Sequence, residues 1–187
     1  VPDKVGLYRI VHIDNLEYIL INGMHSRDHA RFDPHYISIG NAPLIQERHS
    51  YPIGLPDKGT LGQFVPFYFG PLSVMLLNIT TGFSGVAKRP QSDIVYVCCT
   101  LESLESKGLS FVFTDGHAKN HMTCFFESKS DLEKVDWNIV GAKFWSNTEE
   151  DTDRQRRKQA EFLVFDHVPV ECIVGLIVYD ENTRDLV

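Results

Sequence analysis

Runs of apolar and β-branched residues predict short strands along the whole chain. Residues 94–99 form a nearly continuous apolar run, which predicts a buried strand. The other predicted strands are residues 5–12, 64–69, 110–113, 161–165 and 172–179. Because these segments are short and widely spaced, we expect a sheet assembled from distant parts of the sequence.

Helix signals lie between the predicted strands. Asp14 is a candidate cap for a helix over residues 16–21 that ends at Asn22-Gly23. Other helices are predicted at residues 101–106, 116–126 and 149–159, with a short one after Ser130, while residues 74–79 fit a helix or a strand. Strands and helices are interspersed without regular βαβ spacing, which predicts an α+β fold with a mainly antiparallel sheet.

Residues 24–63 show no clear periodicity. The segment contains four histidines, four prolines and several glycines. A structureless stretch of about forty residues is uncommon inside a compact domain unless it has a function. We therefore predict a functional loop here rather than a linker.

Length and composition narrow the class of protein. The chain of 187 residues fits one domain, residues 1–187. With 43% hydrophobic and 23% charged residues, it resembles an ordinary globular protein, not a disordered, collagen-like or coiled-coil chain. No apolar stretch is long enough for a transmembrane helix, and no signal peptide is visible, so we expect a cytoplasmic protein without membrane contact.

Charge and cysteine content set two further limits. A net charge of −7 repels nucleic acid, so any nucleic-acid site requires a local basic patch. The cysteines are Cys98, Cys99, Cys124 and Cys172. They include no C-x2-C pair, which favours reduced structural thiols in a reducing compartment.

Known phosphate-binding and metal-binding motifs are scarce. The chain has no G-x-G-x-x-G and no G-x4-G-K-[ST], so a dinucleotide would be bound without such a loop. On the helix predicted for residues 116–126, His117, His121 and Cys124 lie near one face and form the only metal-like spacing. A helix with two polar histidines and a buried cysteine explains the same spacing.

Glu161 stands between a basic run and an apolar strand. The run consists of Arg154, Arg156, Arg157 and Lys158. A carboxylate at the mouth of a strand is partly desolvated and rigidly held, which suits a catalytic acid, base or cation stabiliser. The spacing alone favours a solvated glutamate at the sheet edge.

For two more side chains, the sequence pattern allows either a structural role or a contact with a ligand. His12 ends the first predicted strand and fits either a ligand contact or a polar niche in the core, with the niche favoured. Tyr68 lies between Phe67 and Phe69, and strand alternation turns it to the opposite face. There its ring could stack on a planar group.

Five segments together resemble the DarT family of DNA ADP-ribosyltransferase toxins. These segments are Tyr8-Arg-Ile-Val-His-Ile-Asp-Asn-Leu16, Val65-Pro-Phe-Tyr-Phe69, Phe113-Thr-Asp-Gly-His-Ala118, Asp136-Trp137 and Arg156-Arg-Lys-Gln-Ala-Glu-Phe-Leu-Val164. Each segment is a weak signal, whereas the set in this order is specific and extends over nearly the whole chain.

The resemblance implies a fold, a reaction and a partner. The fold would be ADP-ribosyltransferase-like, with two small, mainly antiparallel sheets that form an NAD cleft. The reaction would move ADP-ribose from the co-substrate NAD, without a metal, to a base in single-stranded DNA and release nicotinamide. The partner would be the macrodomain antitoxin DarG, and we expect a monomer.

The resemblance also suggests roles for individual residues. The catalytic glutamate falls on Glu161, and the arginine before the aromatic strand is best matched by Arg48, which would neutralise the diphosphate or hold the base. The NAD-contacting positions fall on His12, Asn15, Asn22 and Tyr68. DNA-side positions are His117 and Arg89, with Arg154, Arg156 and Arg157 as the local basic patch.

Several functions stay open at this stage. Thymine is the expected acceptor, because the matched motifs resemble the thymidine-directed branch of the family, and guanine is the alternative. Leu72 weakens the expectation of thymine, since many members have arginine at this position. A metal-dependent hydrolase using His117, His121 and Cys124, and a non-catalytic nucleic-acid-binding module, are rivals of another class. The carboxylate of Glu161 argues against the non-catalytic module, since an oxocarbenium-like sugar needs such a group nearby.

Overall fold

A computed structural model describes residues 1–187 and contains nine strands in two sheets. The strands are β1 (Gly6–His12), β2 (Met24–His25), β3 (Phe64–Tyr68), β4 (Ile94–Thr100), β5 (Phe111–Thr114), β6 (Phe125–Phe126), β7 (Glu161–Phe165), β8 (His167–Val168) and β9 (Ile173–Ile177). Seven strands form a sheet in the order β6-β5-β7-β3-β1-β4-β9, and β2 pairs with β8. All pairings are antiparallel, as the sequence predicted for most of the sheet.

Seven short α-helices connect and flank the strands. They are α1 (Leu16–Asn22), α2 (Ala42–His49), α3 (Val74–Thr81), α4 (Leu101–Glu105), α5 (Trp137–Gly141), α6 (Arg154–Lys158) and α7 (Glu181–Leu186). No helix is both long and apolar enough to cross a membrane.

The two neighbouring strands β1 and β3 pair at only one position, and we call this place the joint of the seven-stranded sheet. β1 pairs with β4 at seven positions and β3 with β7 at five, but β1 and β3 are in register only where Tyr8 faces Tyr68. Next to this joint, Nη1 of Arg9 donates to the carbonyl of Pro66 at 3.0 Å. The main sheet therefore has two halves, β9-β4-β1 and β3-β7-β5-β6. The two sheets of the structure are this main sheet and the small β2-β8 sheet.

Strand alternation gives the two faces of the sheet different roles. On one face, both halves contribute to a main core of 23 buried residues, among them Leu7, Val97, Phe67 and Phe162. On the other face, two smaller clusters form, one in each half. Tyr68 packs against a small cluster while its neighbours lie in the main core, so the predicted alternation is confirmed.

All six predicted strands are confirmed, with small changes at their ends, and residues 74–79 are helical. The prediction of a loop throughout residues 24–63 is wrong in part, because the segment contains β2 and α2. Asn41 caps α2 by accepting from the amide of Leu44, and Pro43 lies in its first turn. None of the α2 residues is fully buried, which explains why periodicity did not reveal this helix.

Two helix predictions need correction. Residues 116–126 are not a helix, because Asn120 and Thr123 close two successive tight turns and Asn120 Oδ1 accepts from the amide of Met122. The helix predicted at 149–159 is limited to α6, since Asp151 and Thr148 bond to each other in a turn before it. All four cysteines are unpaired, and Cys124 is exposed.

Candidate active site

A cavity of about 240 Å³ lies beside the joint between the two halves of the sheet. β1, β3, β7, α2 and the segment between β2 and α2 contribute to its wall. Charged and aromatic side chains in the lining include Arg9, Arg27, Phe32, Tyr36, Arg48, Tyr68, His117 and Glu161. The weakly patterned segment therefore lines the cavity, as expected of a functional loop.

Glu161 and Arg48 form an ion pair in this cavity. Arg48 is in the last turn of α2, and its Nη1 and Nη2 donate to Oε1 and Oε2 of Glu161 at 2.9 and 2.6 Å. Such a two-pronged contact is the strongest common form of a charged hydrogen bond. Glu161 is only 4% exposed, so the prediction from spacing of a solvated edge glutamate is wrong.

The backbone around Glu161 is fixed by β5 and the loop that follows it. The amide of Glu161 donates to Oγ1 of Thr114 at 3.0 Å. The amide of Ala118, in the loop after β5, donates to Oε1 of Glu161 at 3.0 Å. The carboxylate is therefore oriented from three sides, by a strand, a helix and a loop.

Electrostatics keep this pair ionised. Burial alone would raise the pKa of Glu161, but Arg48, His117 and the Ala118 amide lower it below its usual value. Burial would lower the pKa of Arg48, but Glu161 raises it. At neutral pH the cavity therefore holds a carboxylate matched by a guanidinium.

Two neutral polar rings border the pair. Burial lowers the pKa of His117, although Glu161 opposes this shift, so the imidazole is neutral near pH 7. Its Nδ1 accepts from the amide of Lys119 at 3.3 Å, which leaves the proton on Nε2. Burial and Glu161 raise the pKa of Tyr68, so its hydroxyl stays protonated.

Three residues expected to contact NAD lie outside the cavity wall. His12 is buried, its Nδ1 accepts from the Asp14 amide, and this matches the polar niche favoured by the pattern. Asn15 is buried and bonds both the amide and the carbonyl of Ile37, next to the lining segment 38–41. The Oδ1 of Asn22 accepts from Arg31 at 3.0 Å. Direct NAD contacts by these three stay predictions.

The basic run before Glu161 is not a patch of free cations, and this part of the expectation is wrong. Arg156 and Arg157 form ion pairs, and Lys158 is buried with its ammonium bonded to two backbone carbonyls. The aspartates that pair with the two arginines are Asp115, Asp136, Asp151 and Asp153. Four carboxylates cancel the local positive charge on which DNA attraction would depend.

Two other arginines of the predicted DNA side have no carboxylate partner. Arg154 donates from Nη2 to the carbonyl of Phe144 at 2.9 Å and forms no ion pair. Arg89 also forms no ion pair, and neither residue is among those that line the cavity. Both therefore keep a charge available for a phosphate.

The residues of the rival metal site do not converge. Without a helix over residues 116–126, His117, His121 and Cys124 share no face. His117 lines the cavity, whereas Cys124 is exposed. The one group whose ligand atoms lie within 4.8 Å of one another is His29, Asp166 and His167. In it, Nδ1 of His29 accepts from the Arg31 amide, which puts the proton on the nitrogen that faces Asp166.

Sequence reasoning missed other lining residues. Arg9 donates to the hydroxyl of Tyr36 at 3.4 Å, and the rings of Tyr36 and Phe32 lie 5.3 Å apart. Arg27 stands over the Phe32 ring at 5.7 Å. For Arg27, Phe32 and Tyr36, the only available signal was the occurrence of aromatic residues and several arginines in a segment without periodicity.

Comparison with known proteins gives a consistent result. Residues 8–187 match the family described as "DarT: ssDNA thymidine ADP-ribosyltransferase, DarT". A DNA ADP-ribosyl transferase of Escherichia coli O127:H6 is 38% identical over 183 residues, which are 98% of this chain and 84% of the relative. A fusion of a DNA ADP-ribosyl transferase with a DNA ADP-ribosyl glycohydrolase, from Thermosipho africanus, is 28% identical over 94% of this chain and 43% of its own length.

Solved structures agree with the sequence matches. Thermus sp. 2.9 DarT in complex with ADP-ribosylated ssDNA superposes with a TM-score of 0.89 at 30% identity, over 99% of this chain and 86% of that one. The same protein in complex with NAD+ gives a TM-score of 0.83 at 31% identity, over 99% and 87% of the two chains. The expected ADP-ribosyltransferase-like fold is thereby confirmed.

Proposed function

This chain belongs to the DarT family of DNA ADP-ribosyltransferases, and we propose that it transfers ADP-ribose from NAD to thymine in single-stranded DNA and releases nicotinamide. The observation that carries the proposal is the buried carboxylate of Glu161, held by Arg48 inside a cavity bordered by neutral, hydrogen-bonding rings. The ssDNA thymidine description of the family and the Thermus complexes with NAD+ and ADP-ribosylated ssDNA support the choice of substrates.

In the proposed first step, nicotinamide leaves with the electron pair of its bond to the ribose. The sugar that remains carries oxocarbenium-like positive charge, which a fixed carboxylate stabilises more than it stabilises the starting ribose. Glu161 suits this role because burial strengthens its field and three donors already orient it.

In the second step, a ring nitrogen of the base attacks the sugar carbon and gives up its proton. Glu161 is the proposed acceptor of that proton. Its lowered pKa makes it a weak base while Arg48 holds both oxygens. We infer that Arg48 shifts part of its hydrogen bonding to the NAD diphosphate or to the base, so that the carboxylate becomes more basic when both substrates are bound.

The other predicted contacts complete the proposal. Tyr68 offers a ring to NAD from the cavity wall, and His12, Asn15 and Asn22 are further NAD candidates. His117 presents a neutral N–H donor on the DNA side. Arg89 and Arg154 are the proposed phosphate contacts, since both lack a carboxylate partner.

Biological context follows from the family and from the fused relative. We propose that the protein is the toxin of a toxin–antitoxin pair, and that a macrodomain glycohydrolase of the DarG type removes the ADP-ribose. A single catalytic domain over residues 1–187, a monomeric state and a cytoplasmic location, where NAD and DNA are both present, belong to the same proposal.

Incubation with NAD and a panel of oligonucleotides tests the acceptor. We expect mass spectrometry to find one ADP-ribose on thymine-containing single strands and none on matched duplexes, because an unpaired base needs no extraction from a stack. With about two phosphate contacts, DNA affinity should fall with salt at a log–log slope of only about −1.4.

The same panel contains the contradictory outcomes. Modification of guanine in thymine-free strands would replace thymine by guanine as acceptor. Exposed Leu72, where many family members have arginine, is the feature that favours this second possibility. Equal modification of duplexes and single strands would disprove the unpaired-base mechanism.

A further inference from the structure

The loop between β5 and β6, residues 115–124, brings two groups to the catalytic carboxylate. Its Ala118 amide bonds Oε1 of Glu161, and its His117 side chain lines the cavity. The loop has no regular secondary structure, so neither a helix nor a strand pairing fixes its position. Something else must hold these two groups to the accuracy that catalysis needs.

The side chain of Arg156, in α6, supplies that attachment. Nη1 donates to Oδ1 of Asp115 at 3.0 Å and to Oγ1 of Thr123 at 3.3 Å, which are near the two ends of the loop. Nε and Nη2 donate to Oδ1 and Oδ2 of Asp153 at 2.8 and 2.7 Å. The Arg156 side chain is only 11% exposed.

The bonds within the loop continue this network. The hydroxyl of Thr123 donates to the carbonyl of His117 at 2.9 Å, and the amide of His117 donates to the carbonyl of Arg156 at 3.0 Å. Asp115 Oδ1 also accepts from the amide of Cys124 at 2.9 Å. A change at the guanidinium would therefore reach His117 and the adjacent Ala118 through one or two hydrogen bonds.

Gly116 shows how closely the guanidinium fits. A Cβ built on Gly116 would lie 2.4 Å from Nη1 and 2.9 Å from Cγ of Arg156. Both distances are shorter than real Cβ contacts, and four hydrogen bonds oppose movement of the side chain. The glycine is needed here for space, because its φ lies outside the left-handed region.

We propose that Arg156 is a positioning residue, which holds the loop of residues 115–124 so that Ala118 and His117 face Glu161, and is not a DNA contact. The inference rests on the proposed function of Glu161. A planar guanidinium with five donors in fixed directions makes the four bonds together, whereas the single ammonium of lysine cannot reach the same acceptors in that geometry.

Two variants test the proposal from different directions. Arg156→Lys keeps the positive charge but loses the planar set of donors that the guanidinium provides. Gly116→Ala keeps Arg156 but displaces its side chain. We expect both to lower kcat for ADP-ribose transfer by on the order of 10- to 100-fold, since small misplacements near the reacting groups cost this much. The salt dependence of the KM for DNA should stay at the wild-type value, because the displaced His117 is a neutral contact.

A pH profile separates positioning from simple loss of folded protein. Glu161 is faced by Arg48, His117, Tyr68 and the Ala118 amide, and that amide helps to keep its pKa low. When the loop loosens, protonation of Glu161 should begin at higher pH. The acid limb of the plot of kcat against pH is therefore expected to shift to higher pH in both variants. A smaller folded fraction would instead lower kcat at every pH and leave the position of the acid limb unchanged.

Gly175→Ala serves as the matched control, because a Cβ there meets no atom within 4 Å and the residue lies in β9, away from the cavity. It should retain wild-type kcat and pH profile. The proposal is overturned if folded Arg156→Lys keeps wild-type kcat. It is also overturned if Arg156→Gln, which removes the positive charge, lowers the salt slope for DNA by about 0.7, the amount of one lost phosphate contact on a single strand. A wild-type protein that transfers no ADP-ribose would instead disprove the proposed function itself.

Discussion

Replacement of Glu161 by glutamine is expected to reduce ADP-ribose transfer by about 10²–10³-fold or more, the usual cost of removing one preorganised charge from an active site. Glutamine has nearly the same shape and can still accept from the Ala118 amide. It cannot neutralise a positively charged sugar or take a proton from the base. Transfer to a thymine-containing single strand under saturating NAD, measured by mass spectrometry, gives the rate.

The choice of glutamine matters because Glu161 is buried against Arg48. Glu161→Ala would leave a buried guanidinium without a partner, so loss of activity could reflect loss of structure. Circular dichroism and thermal unfolding should show that Glu161→Gln remains folded. A folded Glu161→Gln protein that transfers ADP-ribose at the wild-type rate would exclude Glu161 as the catalytic group.

Removal of the other partner is expected to affect stability most. Arg48→Ala leaves a nearly buried carboxylate unpaired, which typically destabilises a protein by about 3–5 kcal/mol. Both side chains are well shielded, with 18% and 5% exposure for Arg48 and Glu161. Urea unfolding at pH 7 measures the loss, and transfer should fall as well, because Glu161 loses its orientation.

The pH dependence and a double variant serve as controls for this assignment. The folded-state pKa of Glu161 is lowered, so the pair contributes stability above the usual carboxyl pKa and loses it as pH falls through the lowered value. The difference between wild type and Arg48→Ala should therefore shrink in acid. Arg48→Met combined with Glu161→Gln should be more stable than Arg48→Ala, and an equal or lower stability would contradict the unpaired-charge explanation.

The strands could be predicted from the sequence because their apolar residues are buried by the sheet itself. Residues 94–99 and 161–165 contain the side chains of the main core, and their pattern is nearly independent of the rest of the chain. Helix α2 could not be predicted in this way, because it has no fully buried face. Its Asn41 cap and Pro43 were visible signals, but they are weak without a periodic segment behind them.

The candidate site, like the fold, could be predicted from the sequence only in part. Glu161 and Arg48 are separated by 113 positions, and no local pattern shows that they meet. The resemblance to a family indicated both residues, and the structure joins them. For the basic run, the sequence predicted a charged patch that the structure does not contain. The aspartates that neutralise it are residues 115, 136, 151 and 153, of which the first two are distant in sequence. The net charge of a sequence segment therefore does not give the local charge around it in the folded protein.

The joint at Tyr8 and Tyr68 has a consequence for cooperativity of unfolding. β1, β4 and β9 form one half of the sheet and β3, β5, β6 and β7 the other, so the chain crosses between the halves four times. Both halves also contribute to the same main core. Neither half can therefore unfold as an independent unit, although Tyr8 and Tyr68 are the only residues of β1 and β3 in register. Fluorescence of Trp137 and Trp145 and far-ultraviolet circular dichroism should report one coincident urea transition, and separate midpoints would reveal two units.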